Sequence, residues 1–172
     1  MTRYTSTVES VAALSPAVPS GAAAGGLFAN ILGNQLTGGR TLLRRLTLGV
    51  RAGSGAPNSQ QLTVAFARTT ARGTATTSNP WSITEGFVGV TAPGNPGIDV
   101  AWSAVPTATS WTAPYFWEVS FNTQATVDLP WELLEELGIQ PAAANANGIA
   151  LFNVGNALPT AHLYTLACEI EI

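Results

Sequence analysis

Residues 41–69 read TLLRRLTLGVRAGSGAPNSQQLTVAFART, and this stretch decides the fold class. Leu42, Leu46, Leu48 and Val50 share one parity, as do Leu62, Val64 and Phe66. A period of two marks strands with one buried face, and Gly53-Ser54-Gly55-Ala56-Pro57-Asn58-Ser59 between them is a run of turn formers. The stretch is therefore predicted to be two strands joined by a turn, a hairpin. Arg44 interrupts the pattern by sharing the parity of Leu42 and Leu46. It must lie at the sheet rim, pair with an acid, or mark a bulge. Arg45 and Arg51 fall on the solvent-facing parity.

The same alternation recurs toward the C terminus. Tyr115, Trp117, Val119 and Phe121 oppose Glu118, Ser120 and Asn122, and in the last strand Tyr164, Leu166, Cys168, Ile170 and Ile172 oppose Thr165, Ala167, Glu169 and Glu171. The run GIALFNV at 148–154 is apolar almost throughout, as in a strand covered on both faces. Residues 1–10 carry strand formers suited to a short edge strand, and 26–36 suit a strand or one helical turn. Between Asn79 and Pro114, five prolines leave only short apolar pieces at 81–83, 87–90 and 98–102. The one helical signal is PWELLEELG, with Pro130 at the first turn, acids early, leucines on one stripe and Gly138 at the stop.

Many short strands, Gly/Pro turns and no strand-helix-strand rhythm predict an all-β fold: an antiparallel β-sandwich, jelly-roll-like, with one short helix near 130–137. Residues 27–172 form its single domain. Residues 1–26 are expected to be an extended N-terminal arm, small-residue-rich from Val11, that lies on its own domain or on a neighbouring subunit. The expected core includes Leu48, Val64, Phe66, Val119, Leu151, Leu166 and Ile170.

Charge is sparse and polarised. Only 10% of the 172 residues are charged, against about 25% in an average domain. Residues 1–72 hold all seven arginines and one acid, a net +6, while residues 73–172 hold nine acids and no base, a net −9. Either the halves interleave within one fold, or a basic surface of one copy meets an acidic surface of the next. The candidate partner-contact residues are Arg40, Arg44, Arg45, Arg51, Arg68 and Arg72 on the basic side and Glu132, Glu135 and Glu136 on the acidic side. Dispersed arginines under a net charge of −3 make a poor nucleic-acid footprint.

A chemical site is hard to assemble from these residues. His162 is the only histidine and Cys168 the only cysteine, which leaves scattered carboxylates for any metal. Cys168 lies on an apolar parity and reads as a small buried hydrophobe. Neither a nucleophile elbow nor a phosphate or dinucleotide loop is present. Glu132, Glu135 and Glu136 are neighbours on one short segment, unlike glycosidase carboxylates that flank a cleft. The expectation is no enzyme activity, no cofactor and no metal site. Trp81, Trp102 and Trp111 could close the core or form a sugar-stacking platform. The N-terminal segment is too broken by proline and glycine for a signal core or a membrane span, so no membrane contact and no signal-peptide export are expected.

The succession RRLTLGVRAGSGAPNSQQLTVAFARTTARGTATTS, AWSAVPTATSWTAPYFWEVSF and GIALFNVGNALPTAHLYTLACEIEI resembles small β-sandwich virion proteins of tailed bacteriophages, of the capsid-decorating or minor structural kind. The resemblance spans Arg40 to Ile172. It implies a non-enzymatic protein, made in the host cytoplasm, that binds the major capsid protein or another virion protein on the capsid surface, as a homo-oligomer with a trimer favoured. A tail or baseplate component and a carbohydrate-binding module are the alternatives.

Overall fold

The structure, a computed structural model, describes residues 3–9, 26–33, 40–52, 59–83, 97–112, 114–115, 117–130, 137–143, 146–154 and 162–172. Within them run thirteen strands: β1 (Arg3–Glu9), β2 (Leu27–Leu32), β3 (Thr41–Ala52), β4 (Gln61–Ala71), β5 (Thr74–Asn79), β6 (Ser82–Ile83), β7 (Ile98–Ala104), β8 (Thr107–Ala108), β9 (Trp117–Asn122), β10 (Val127–Pro130), β11 (Gly138–Ile139), β12 (Gly148–Asn153) and β13 (His162–Glu171). One sheet has the order β10-β3-β13-β1-β6, with β11 also on the β3 edge. The other runs β5-β7-β2-β12-β4-β8, with β9 also on β4.

The two sheets pack as an antiparallel β-sandwich. In one sheet β13 lies between β3 and β1, and in the other β12 lies between β4 and β2. The ribbon β12-β13 is thus flanked by two others, β1-β2 and β3-β4, each with one strand in either sheet. This winding is jelly-roll-like, as expected.

β3 and β4 are where residues 41–69 predicted strands, but they do not form a hairpin. They lie in opposite sheets, β3 paired with β13 and β4 with β12. Alternation specifies that each strand has one apolar face and is silent on whether two such faces lie side by side or oppose each other. Here they oppose. Leu46 and Leu48 join Leu62, Val64 and Phe66 in one core cluster, each 0–2% exposed. Residues 53–58 of the connection lie outside the described residues.

Arg44 does mark a bulge. The register against β13 steps from Arg45↔Glu169 to Leu43↔Ile170, leaving Arg44 as the extra residue. Beyond it the phase is inverted, so Leu43 is buried and Leu42, which lay on the apolar parity, is only half-buried. Val119 is likewise half-buried rather than core, since among the described residues β9 pairs with β4 alone. Leu151, Leu166 and Ile170 are buried as predicted, and every residue of β12 is covered.

Residues 3–9, assigned above to the arm, are a strand paired along its whole length with β13. Nor is β1 quite an edge, since β6 pairs with Tyr4 and Thr5 on its other side. Residues 10–25 lie outside the described residues. So do residues 131–136 of the expected helix, while Pro130 ends strand β10 and no α-helix occurs among the described residues.

A second apolar cluster covers the outer face of the β12 sheet. Leu27, Ala65, Ala67, Ala150 and Phe152 lie beneath Val105, Ala108, Trp111 and Tyr115, with Trp111 and Tyr115 both edge-on to Phe152 at 5.2 and 5.6 Å. Beside it is a buried polar group. The Asp99 carboxylate is fully covered and accepts two hydrogen bonds from Arg72, at 2.7 and 2.8 Å, and one from the Ser78 hydroxyl. Asn30, its cross-strand neighbour, accepts from the Thr69 hydroxyl at 3.1 Å. Gly148 is required there, since a Cβ would stand 2.7 Å from the Ile31 carbonyl and 2.8 Å from Thr69 Oγ1.

Tyr164 packs edge-on to Phe28 in the main core, and its hydroxyl has no hydrogen-bond partner among the described residues. Burial pushes the phenol up to about 12, so the folded chain holds this proton where the unfolded chain, near 10, has lost it. That contribution to stability is complete below pH 10 and is lost as pH rises through about 12. An ultraviolet titration is expected to show a tyrosine ionising near pH 12. Tyr164→Phe should remove that phase and leave stability at neutral pH unchanged or raised, because the lost hydroxyl satisfies nothing.

Candidate interaction surface

The outward-facing parities of four adjacent strands build one polar surface. Register places Thr5, Glu169 and Arg45 in one rank across β1, β13 and β3, and Thr7, Ala167, Thr47 and Asp128 in the next, which extends onto β10. Thr165 and Gly49 continue the face on β13 and β3, where a Cβ on Gly49 would meet Thr165 Oγ1 at 3.0 Å. Small and β-branched side chains make a low, stiff floor. It forms an open trough of about 280 Å³ lined by Thr5, Thr7, Arg45, Thr47, Ala167 and Glu169.

Charges cross this floor obliquely. Arg3 Nη1 donates to Glu169 Oε1 at 3.1 Å, and Arg45 binds both oxygens of Asp128 at 2.8 and 2.5 Å, with Thr47 Oγ1 adding a 3.1 Å bond. The Arg45 hydrogen bonds hold the Asp128 carboxyl below the usual carboxylate range, and Asp128 in turn raises the guanidinium. The order across β1, β13, β3 and β10 is Arg3, Glu169, Arg45, Asp128: plus, minus, plus, minus. All four remain accessible, with side-chain exposures of 55, 21, 56 and 43%.

The predicted contact residues are dispersed over the fold. Arg45 is part of this surface. Arg40 is exposed at the entry to β3, and Arg44 pairs with Glu171 at 2.5 Å. Arg68 donates to the Gly138 carbonyl at 3.0 Å, tying β4 to β11 across the sandwich. Arg72 covers Asp99. The Arg51 side chain and Glu132, Glu135 and Glu136 lie outside the described residues. Arg3, Arg44, Arg45 and Arg72 each take an acid from the C-terminal part of the same chain, so the two oppositely charged halves do interleave. Arg3, Asp128, Glu169 and the threonines were missed as site residues. Their outward parity was legible, but which strands adjoin was not.

Of the proposed sugar-stacking residues, Trp81 and Trp102 are buried, at 2 and 8% exposure, and cannot present a ring face to a ligand. Trp111 is half-buried against Phe152. Cys168 is buried in the core, which pushes its thiol well above its usual range. Among the described residues no group of three or more His, Cys, Asp or Glu is placed to hold a metal ion, and no helix is long and apolar enough to cross a membrane. What the surface offers is hydroxyls and paired charges on a rigid sheet. No protein-family model, curated protein or solved structure matches the chain.

Proposed function

We propose that this chain is a non-enzymatic structural protein of a virion, a capsid decoration protein that binds the outer capsid lattice and stabilises it as a homo-oligomer. The observation that carries the reading is the outer face of the β3-β13-β1 sheet. It is broad, rigid and hydroxyl-rich, and its charges are already paired within the chain. Such a face can be covered by a neighbouring subunit, including a further copy of the chain in the homo-oligomer, without stranding a lone charge, which is the main penalty of burying ionic surface. The low overall charge and the resemblance to tailed-phage β-sandwich virion proteins support the same reading. The partner of the homo-oligomer is then the major capsid protein or another virion protein, with no direct contact to nucleic acid or membrane.

Virions made without this gene are expected to lose a layer of density from the head exterior and to release their contents at lower temperature or milder osmotic shock. Heads unchanged in composition and in tolerance would overturn the proposal. Mass spectrometry of separated heads and tails that finds the chain only with tails would reassign it to a tail or baseplate role.

A further inference from the structure

We infer that the outer face of the β3-β13-β1 sheet pairs with the same face of a second copy of this chain, about a two-fold axis lying in the interface perpendicular to the row of charges. The inference names a partner for the face on which the functional reading rests.

The argument is one of symmetry. A two-fold axis perpendicular to a row reverses its order, so plus, minus, plus, minus on one copy faces minus, plus, minus, plus on the other. Arg3 of each copy then meets Asp128 of the other, and Glu169 meets Arg45. Four cross-copy contacts of opposite sign result, and none of like sign. An axis along the row would oppose every charge to itself. Each group also retains capacity for a second partner: Arg3 uses Nη1 alone for Glu169, which accepts through Oε1 alone, Arg45 uses Nε and Nη2 for Asp128, and Asp128 is 43% exposed although Arg45 binds both of its oxygens. The floor between them, Thr5, Thr7, Thr47 and Ala167, carries no long side chain to hold two sheets apart.

The register also fixes how the copies cross. Arg3 is two residues before Thr5 in the Arg45 rank, and Asp128 is one rank beyond on the opposite side. With strands about 4.8 Å apart and residues about 3.4 Å apart, the row lies at about 45° to the strands. Reversal about an axis perpendicular to it crosses the strands of the two copies at about 90°, one of the two favoured angles for stacked sheets.

The test uses the purified full-length chain. It is expected to self-associate in sedimentation velocity at about 0.05 M salt and to do so less at about 0.5 M, where exposed charges are screened. Glu169→Arg and Arg45→Glu each create two like-charge contacts across the axis and are expected to weaken self-association about tenfold or more. Mixed in equal amounts, the two variants restore every opposite-sign contact, and association should return to the wild-type level. Arg3→Glu with Asp128→Arg repeats the exchange at the ends of the row, should either central variant unfold by circular dichroism. A wild-type chain that stays monomeric, variants that associate as the wild type does, or a mixture that fails to recover would each overturn the pairing. None of these outcomes bears on whether the protein is found on heads, which the particle experiment decides separately.

Discussion

Phe66→Ala is expected to lower the unfolding free energy by about 3 to 5 kcal/mol, measured by urea denaturation with an unchanged slope. Phe66 is 1% exposed at the centre of β4 and stacks on Trp117 of β9 with ring centroids 4.7 Å apart. Its strand is held by β12 on one side and β9 on the other. Neighbours tied into ladders on both sides relax little into a vacated space, so the cavity persists and the upper part of the range applies. A loss under about 1 kcal/mol would mean that the site collapses and that the β4 face is not packed as described.

Arg72→Ala is expected to be of similar size, about 3 to 5 kcal/mol, for an electrostatic reason. Asp99 has no exposure of its own, and Arg72, 27% exposed, is what covers it. Without the guanidinium the carboxylate keeps, among the described residues, only the Ser78 hydroxyl as a side-chain donor. Replacing both partners with apolar residues, Arg72→Met with Asp99→Leu, should recover most of the loss, because no charge is then left buried. The comparison is read from two denaturation curves. A single variant that loses less than about 1 kcal/mol, or a double variant no better than the single, would show that water reaches Asp99 and that the pair is not a buried one.

The packing of Phe66 was legible in the sequence, and the pairing of Arg72 with Asp99 was not. The inward parity of Leu62, Val64 and Phe66, and the outward parity of Thr165, Ala167 and Glu169, follow from local alternation and survive in the fold. Arg44 was legible as an irregularity because a charge on an apolar parity has few physical resolutions. It turned out to combine two of them, a bulge and an ion pair with Glu171. The buried Arg72–Asp99 pair was not legible. Nothing in the neighbourhood of either residue marks it, and the two meet only because β4, β5 and β7 are brought together in one sheet.

What the sequence determined by itself is the position of the long strands, the face that most of each turns to the core, and the opposition of a basic and an acidic half. These depend on side-chain periodicity and composition, which are local or additive properties. Tertiary structure decided that residues 41–69 cross the sandwich instead of forming a hairpin, that Trp81 and Trp102 are interior, and that Arg3, Glu169, Arg45 and Asp128 form one alternating row. Those outcomes depend on which distant strand supplies each ladder of hydrogen bonds. Every strand offers the same backbone donors and acceptors, so the choice of partner is made by the packing of the whole core.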